Sequence, residues 1–510
     1  MPMTRERLAN DIWRACDIMR RDNNCGGAME YLEHLTWLLF LKFIDEPDPA
    51  SSSSQRRSHR NSKLLIDGKY RWSAWTEKAL GRKAADGVRR GSPMWNDDQL
   101  MSYLRNDLLP YLASLAGSPE HQVVAGIFNG RTVVLCASPQ NLREVLSIID
   151  GIHFENEDDI HTVSSVYEEL LRKLGRENKL AGEFYTPRAI ARFMVDVIEP
   201  RIGETVYDPA CGTCGLLVEA LEYMRKAART PKDERRLQQQ PTFFGNEKKP
   251  VPALLGLVHM LLRGATVPQI RRCNTLEQDS RTPSALFDVV LSNPPFGGTE
   301  NIRVQQNFQL KANATELLFL EHIMNKLKRS GHARCALVVP EGTLFRGGAF
   351  ARARQELLNN YDLFMVVSLP PGAFAPYSNV KTSLLFFERG GPTREVLYQR
   401  IEARPGQKGF NKNTPLSDEH FELARATWNG WASYRRGAHP RPAATGWCWI
   451  ESYREIEARG FDLSSRKPED RSQDEIPNVA DLTARLLAST SDLHQLIQRL
   501  HKKLSARVGL

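Results

Sequence analysis

The segment YDPACGTCG, residues 207–215, decides the fold class of this 510-residue chain. It follows a short β-branched run and precedes a helical pattern over residues 216–226. Gly212 and Gly215 lack Cβ atoms, so the backbone can turn sharply there and approach a ligand closely. A strand, a glycine loop and a helix in this order are typical of a nucleotide-type site over the carboxyl ends of parallel strands. The segment matches neither the G-x-G-x-x-G pattern nor the Walker pattern, which argues against a dinucleotide enzyme and an ATPase motor.

Short apolar runs around this segment predict a mostly parallel sheet. They alternate with helical patterns, as in sheets that helices cover on both faces. The last two runs are joined by PPGAF, residues 370–374, which leaves no room for a crossover helix. These two runs should therefore form an antiparallel pair at one edge of the sheet. The predicted strands are 204–207, 242–244, 287–292, 334–339, 363–368 and 382–387.

The rest of the chain predicts three regions: a helical domain over 1–155, the sheet domain over 156–400 and a C-terminal region over 401–510. The serine- and arginine-rich stretch 51–63 has no apolar period and is interpreted as a mobile loop. Leucines from Leu482 to Leu504 lie on one helical face, with charges opposite, which predicts one or two amphipathic helices. Either these helices pack on the chain's own domains or they dock on another subunit.

Composition restricts the protein class only broadly. The net charge is +9, a modest excess that fits a nucleic-acid partner without identifying one. The chain has no stretch of about 18 apolar residues and no secretory pattern at its start, so we expect no membrane span and a cytoplasmic location. Its eight cysteines mostly stand alone in apolar segments, as in reduced cytosolic proteins.

Cys211 and Cys214 raise the question of a metal or redox site. The chain has no second pair at zinc spacing that would complete four ligands, so we predict no metal. A thioredoxin-like redox motif stays open as an alternative. The simpler interpretation is that both are small residues lining the glycine loop.

Two acidic residues stand where a nucleotide-like cofactor would need them. Asp208, at the strand end, can accept hydrogen bonds from a ligand amine. Glu247 ends the next predicted strand, and one carboxylate can accept from both hydroxyls of a ribose. The charged insert over 226–240 explains why Glu247 lies further from the glycine loop than the usual ~20 residues.

The most specific motif is NPPF, residues 293–296, which directly follows an apolar strand. Pro294 and Pro295 fix the backbone and remove two N–H donors. The turn then displays two acceptors, the Asn293 side-chain oxygen and the Pro294 carbonyl, with the flat face of Phe296 beside them. This set suits a planar base with an amino group: two acceptors draw the amine hydrogens out of plane and localise the nitrogen lone pair. A base inside a duplex cannot reach such a turn and must be flipped out.

The ordered set of GEFYTPR at 182–188, the glycine loop, Glu247 and NPPF resembles the N6-adenine DNA methyltransferases. It looks most like the modification subunit of type I restriction–modification systems, and the N-terminal helices resemble that family's N-terminal domain. The resemblance implies a bacterial or archaeal enzyme that transfers methyl from S-adenosylmethionine to adenine N6. It also implies an α/β fold: a Rossmann-like methyltransferase sheet with an N-terminal helical domain and C-terminal amphipathic helices.

The resemblance also assigns the cofactor site. The segment 183–188 matches the family's first cofactor segment, with Thr186 as N-cap and Pro187 as first helical residue, so that the helix start faces the methionine carboxylate. Asn274 stands where related enzymes often have an acid near the cofactor adenine. Ala210 and Cys211 replace a frequent threonine and alanine, which removes any hydroxyl contact there. The implied cofactor residues are Glu183, Phe184, Tyr185, Thr186, Pro187, Arg188, Asp208, Ala210, Cys211, Gly212, Thr213, Gly215, Glu247 and Asn274.

In the resembled family, a separate specificity subunit reads the DNA sequence. The resemblance therefore implies double-stranded DNA and a specificity subunit as partners, with two copies of this chain per specificity subunit, and allows a restriction–translocase subunit. Two alternatives remain from the residues: an amino-methyltransferase for RNA or protein glutamine, and a degenerate methyltransferase fold kept for assembly. The amino-methyltransferases for RNA or protein usually have tyrosine at the end of this turn and lack a segment like FYTPR, residues 184–188. The intact Asp208, Glu247 and Asn293 argue against a degenerate fold.

Overall fold

The fold is taken from a computed structural model. It describes residues 5–22, 28–45, 66–83, 89–116, 137–152, 186–265, 267–278, 285–329, 331–375, 378–403, 409–411 and 413–466, with single positions between 121 and 169. The chain divides into two compact units, Met1–Leu463 and Ser464–Leu510, and the description concerns the first. The stretch 51–63, residues 183–185 and the leucine-rich segment 482–504 lie outside the described residues.

The N-terminal part is helical, as its apolar spacing predicts. Trp72 and Trp75 are fully buried at the centre of these helices. Asp150 ends the last of them and accepts hydrogen bonds from Trp72 Nε1 at 2.9 Å and Arg89 Nε at 3.0 Å, so its buried carboxylate is satisfied. The helices are α1 Arg5–Arg20, α2 Ala28–Asp45, α3 Trp72–Leu80, α4 Asp97–Tyr103, α5 Leu109–Ala113 and α6 Pro139–Asp150, and a π-helical turn Leu104–Leu108 joins α4 to α5.

A nine-stranded sheet forms the centre of the second part. Its spatial order is β9-β8-β6-β7-β5-β4-β1-β2-β3. All neighbouring pairs are parallel except those of β7 with β5 and β6 and that of β8 with β9. The strands are β1 Val206–Asp208, β2 Phe243–Glu247, β3 Gln269–Arg272, β4 Val289–Ser292, β5 Arg334–Pro340, β6 Tyr361–Ser368, β7 Thr382–Arg389, β8 Glu395–Arg400 and β9 Cys448–Ser452.

The predicted antiparallel pair is present, but not at the edge. β6 and β7 pair antiparallel, with β7 inserted between β6 and β5. The prediction of an edge position is wrong because β8 adds in parallel to β6 and β9 then closes that side. Sequence patterns missed β3, β8 and β9. In β3, Arg271 and Arg272 are exposed, so this edge strand has no apolar run to detect.

Helices cover both faces of the sheet. Val289 and Leu291 belong to the core on one face, and Val290 to the core on the other, which is the alternation expected of a strand between two helical layers. The first core also includes the N-terminal helices. The helices of this part are α7 Arg188–Ile198, α8 Gly215–Ala227, α9 Pro231–Gln239, α10 Pro250–Leu262, α11 Ile302–Gln305, α12 Thr315–Lys326, α13 Gly342–Phe345, α14 Ala349–Asn360, α15 Glu422–Arg435 and α16 Tyr453–Ala458.

Candidate cofactor and substrate site

The glycine loop between β1 and α8 is tightly packed. Gly212 and Cys214 both have left-handed backbone conformations, with φ of 51° and 60°. The Cys211 amide donates to the carbonyl of Asn246, at the end of the neighbouring β2, at 3.0 Å. A Cβ atom on Gly256 of α10 would lie 2.6 Å from Cys214 Sγ and 2.9 Å from the Gly212 carbonyl. The loop conformation therefore depends on a helix that passes close behind it.

The two loop cysteines are buried free thiols. A hydrogen bond with Cys214 and burial together raise the pKa of the Cys211 thiol well above its usual value. Thiols that stay protonated are poor nucleophiles and poor metal ligands. This supports the interpretation of both as small residues that fill the loop.

Asp208 joins the glycine loop to the NPPF turn. Its Oδ1 accepts from the Ala210 amide at 3.0 Å and from the Ser292 hydroxyl at 2.9 Å, and Ser292 directly precedes the turn. Burial raises the pKa of Asp208 to about 7. The two hydrogen bonds lower this pKa, and the negative charge of Glu247 adds a smaller increase. Ser292 has a positioning contact that the sequence analysis missed, although it lies next to the most specific motif.

Glu247 closes the other side of the loop. Its Oε2 accepts from the Gly212 amide at 3.0 Å and its Oε1 from the Lys249 amide at 2.7 Å. Burial raises its pKa, although both hydrogen bonds oppose the rise. The Cys273 amide donates to the Glu247 carbonyl at 2.9 Å, which brings the next residue, Asn274, close to Glu247.

Asn274 begins a short 3₁₀ turn, Thr275–Glu277. Its Oδ1 accepts from the Leu276 amide at 3.3 Å, and its Nδ2 donates to Glu277 Oε1 at 3.0 Å. Thr275 Oγ1 donates to the Pro209 carbonyl at 2.6 Å, a second contact to the loop that the sequence gave no sign of. Behind Ala210 lies an apolar wall made of Leu276, Val304, Phe308, Leu318 and Phe319.

At the start of α7, the structure corrects one detail of the prediction. The helix begins at Arg188, and Pro187, with ψ of 132°, occupies the N-cap position expected for Thr186. Thr186 lies one position before the cap, and its Oγ1 accepts from Asn293 Nδ2 at 3.2 Å. The side chain of Pro187 does not cap the helix start, so within the described residues the N-cap position leaves the first amides available to a ligand.

The Arg188 guanidinium points along α8 within this arrangement. It donates to the Gly215 carbonyl at 2.9 Å and to Glu219 at 3.3 Å, and it lies 3.5 Å from His259 Nε2. His259 Nδ1 in turn lies 3.0 Å from the Thr213 carbonyl. Arg188 and His259 thus fix the far end of the glycine loop; neither the position nor the spacing of His259 in the sequence indicates this.

Asn293 is held by its nitrogen and has an unused oxygen. Its Nδ2 donates to Thr186, whereas its Oδ1 is buried and has no hydrogen-bond partner among the described residues. A buried amide oxygen without a donor is costly and uncommon in native structures. The bond to Thr186 sets the orientation of the amide, so the oxygen is the side of the amide without a partner among the described residues. Pro294 is buried, Pro295 is exposed, and Phe296 is half-buried against the larger core.

The predicted site residues that the structure describes thus meet at the carboxyl ends of β1, β2 and β4, which are neighbours in the sheet. Among the described residues, no group of three or more histidine, cysteine, aspartate or glutamate side chains is arranged to hold a metal. None of the described helices is both long and apolar enough to cross a membrane.

A model of the N-6 DNA methylase family matches residues 158–475, and a model of the HsdM N-terminal domain matches residues 8–149. The chain belongs to the N-6 DNA methylase family. It is 34% identical over 460 residues to the type I restriction enzyme EcoEI methylase subunit of Escherichia coli, covering 89% of this chain and 88% of that protein. It is 28% identical over 450 residues to the EcoKI methylase subunit of Escherichia coli strain K12, covering 82% and 75%.

Two solved structures agree with this assignment. A chain from a study of complex assembly and conformational transition in the type I R-M system is 50% identical, covers 99% of both chains and has a TM-score of 0.79. A modification subunit assigned to a type I restriction enzyme of Vibrio vulnificus YJ016 is 35% identical, covers 92% and 98%, and has a TM-score of 0.74. This N-6 DNA methylase is thus an adenine-specific DNA methyltransferase, of the type found as the methylase subunit of type I restriction enzymes. The predicted family, fold class and activity are confirmed.

Proposed function

We propose that Asn293 Oδ1 is the acceptor that activates the amino group of a flipped adenine. The observation behind this is the buried Oδ1 without a partner, on an amide that Thr186 holds by its nitrogen. An adenine N6 amine is a donor of the right kind for this oxygen. The hydrogen bond strengthens as positive charge develops on N6, so it stabilises the transition state more than the bound substrate.

The other residues of the turn complete the base site in this proposal. The Pro294 carbonyl accepts the second amine hydrogen, and the two prolines keep both acceptors fixed because they restrict the backbone. Phe296, half-buried, offers its ring to the face of the base. Ser292 couples the turn to Asp208, so the base site and the cofactor loop move as one body.

The N-6 DNA methylase family uses S-adenosylmethionine, which supplies an electrophilic methyl group when bound. The residues present fit this cofactor in their chemistry. The uncapped start of α7 offers amides to the methionine carboxylate. Asp208 accepts from the methionine amine, and Glu247 accepts from the ribose hydroxyls with the lone pairs that Gly212 and Lys249 leave free. Asn274 and the apolar wall around Ala210 border the adenine of the cofactor.

The partners follow from the type I assignment. A methylase subunit of this kind works with a specificity subunit and DNA. We propose two copies of this chain per specificity subunit and a cytoplasmic location; the assignment also allows a restriction–translocase subunit in the complex. The segment predicted to dock, 482–504, lies outside the described residues.

The proposal is tested by transfer of tritiated methyl from S-adenosylmethionine to DNA, with and without the co-expressed specificity subunit, followed by nucleoside analysis. We expect label in N6-methyladenine only with the partner present. Asn293→Ala should keep cofactor binding and lose at least 100-fold in transfer rate. Asn106→Ala, which removes an exposed amide bonded to Ser102, serves as the matched control and should change neither.

Two outcomes would contradict the assigned roles. Equal loss of cofactor binding and methyl transfer in Asn293→Ala would show that the turn is structural. Cofactor binding by the wild-type complex, with no label in DNA but label in RNA or protein, would redirect the base site to another amine. Native mass spectrometry of the complex measures the copy number independently, with a 2:1 ratio expected.

A further inference from the structure

Three segments near the carboxyl ends of the central strands each expose an apolar side chain followed by a basic one. Six large hydrophobic side chains are exposed among the described residues, and three of them form this set. Ile302 is 73% exposed, Phe345 53% and Val380 47%. The residue after each of them is an exposed cation. We refer to the three pairs together as the rim: Ile302-Arg303, Phe345-Arg346 and Val380-Lys381.

The sheet places the second and third of these pairs side by side. The first follows β4, the second follows β5, and the third precedes β7, which runs antiparallel to β5. These three strands are neighbours, so the second and third pairs lie together at the carboxyl end of β5, beside β4, which leads into Asn293. The first pair lies ten residues after Ser292, where the adjacent Val304 packs against Leu276, which follows β3. The second and third loops touch directly, because the Glu341 amide donates to the Lys381 carbonyl at 2.9 Å.

The rim extends beyond the base site. Ser292, the last residue of β4, is paired with Leu337 of β5, and β5 continues to Pro340. Three further residues of strand carry the chain roughly 10 Å outward, at about 3.3 Å per residue. The loop that bears Phe345 therefore starts further out from the sheet than the turn that bears Asn293. A duplex resting on the rim would face the base site below it.

Phe345 stands on a rigid support. Arg354, 2% exposed, donates to the carbonyls of Thr343 and Arg346 at 2.9 Å each, on both sides of Phe345. The Leu344 carbonyl accepts from the Leu463 amide at 2.9 Å. An exposed aromatic ring on a fixed backbone loses little conformational freedom when it binds, unlike one on a loose loop.

The charges of the rim complement DNA. Arg303 and Arg346 form no ion pair with any carboxylate among the described residues. Lys381 lies 3.2 Å from Glu341 Oε1, and this pair is neutral overall. Unpaired, exposed guanidinium groups are suited to phosphate contacts, which fix a protein's position on a duplex.

We propose that the rim holds the DNA duplex and that Phe345 enters the base stack where the target adenine leaves it. This inference rests on the DNA-adenine methylation of the proposed function and adds the residue that keeps the base out of the helix. Proteins that unstack DNA commonly insert apolar side chains between base steps. Phe345 is the member of the rim with a flat ring that can replace the stacking surface of the lost base. Arg303 and Arg346 bind the flanking phosphates.

The test uses the complete complex with its specificity subunit and a duplex of its target sequence, identified from DNA that the wild type has methylated. 2-Aminopurine at the target adenine reports extrusion by its fluorescence. Phe345→Ala should reduce the fluorescence rise at least fivefold and the methylation rate at least tenfold, with unchanged affinity for S-adenosylmethionine. Phe345→Trp should retain most of both. Met94→Ala is the matched control, an apolar side chain 72% exposed in the helical part, and should behave as wild type.

A second duplex separates this role from others. In this duplex the target base lies opposite an abasic site and therefore leaves the stack more easily. The loss of methylation rate in Phe345→Ala should then shrink to less than threefold. An equal defect on both duplexes, or none on either, would overturn the proposal. Loss of complex assembly on size-exclusion chromatography would also overturn it, because Phe345 would then be a subunit contact. If the wild-type complex extrudes the base without methylating it, the assigned activity fails, and the fluorescence still measures the role of Phe345.

Discussion

Asp208→Asn should make the protein more stable at alkaline pH while it weakens cofactor binding. The side chain is 2% exposed, and its Oδ1 accepts from the Ala210 amide and the Ser292 hydroxyl. An asparagine has the same shape and offers the same acceptor atom to both donors. The substitution therefore removes a buried negative charge and leaves the local hydrogen bonds in place.

The size of the effect follows from the pKa of Asp208. Burial raises this pKa from 3.8 to about 7 in the folded protein, which corresponds to roughly 4 kcal/mol between the two protonation states. A raised pKa means that the folded state binds the proton more tightly than the unfolded state. The wild type thus loses stability from about pH 4 upward until the pH passes about 7, and the loss is constant above that. Asp208→Asn lacks this loss.

The measurement is denaturant unfolding of both proteins between pH 4 and pH 8.5, together with calorimetric titration of S-adenosylmethionine. We expect equal stability near pH 4, and above pH 7 an advantage of the variant of up to roughly 4 kcal/mol. Because the proposed contact to the methionine amine needs the charged carboxylate, cofactor affinity of the wild type should fall about tenfold per pH unit below 7. The variant should bind weakly at every pH. A variant that is no more stable at pH 8.5, or that binds the cofactor as the wild type does, would refute this reasoning.

Three further variants test the rest of the site. Thr186→Val removes the acceptor that orients the Asn293 amide, and stopped-flow methylation should show a three- to tenfold lower rate with unchanged cofactor affinity; an unchanged rate would contradict the positioning role. Glu247→Gln retains only one acceptor oxygen, and calorimetry should show at least tenfold weaker cofactor binding without a change in DNA binding; equal loss of both would indicate misfolding. Gly256→Ala places a methyl group against the loop carbonyl and should lower stability by about 1–3 kcal/mol in denaturant unfolding. Its control is Gly430→Ala in α15, where the nearest atom is 4.0 Å away and the helix should be slightly stabilised; equal effects would refute the packing argument.

The sequence by itself predicted the fold class, the family and six of the nine strands of the large sheet. These features depend on local patterns, such as the apolar run before Asn293 and the glycines that permit the turn after Asp208. The antiparallel pairing of β6 and β7 was also predictable, because the connection over residues 369–381 contains Pro370, Pro371 and Pro376, which disfavour a crossover helix.

Tertiary structure alone decided the order of the sheet and the state of the site. The insertion of β7 between β5 and β6 depends on pairing partners that are far apart in the sequence, and β3, with its exposed Arg271 and Arg272, carries no apolar run of its own. Likewise, Thr186 and Asn293 are 107 positions apart, and no local pattern records the hydrogen bond that orients the Asn293 amide. Local sequence determines which backbone conformations are favourable, whereas the protonation of Asp208 and the orientation of Asn293 depend on which distant groups the fold brings around them.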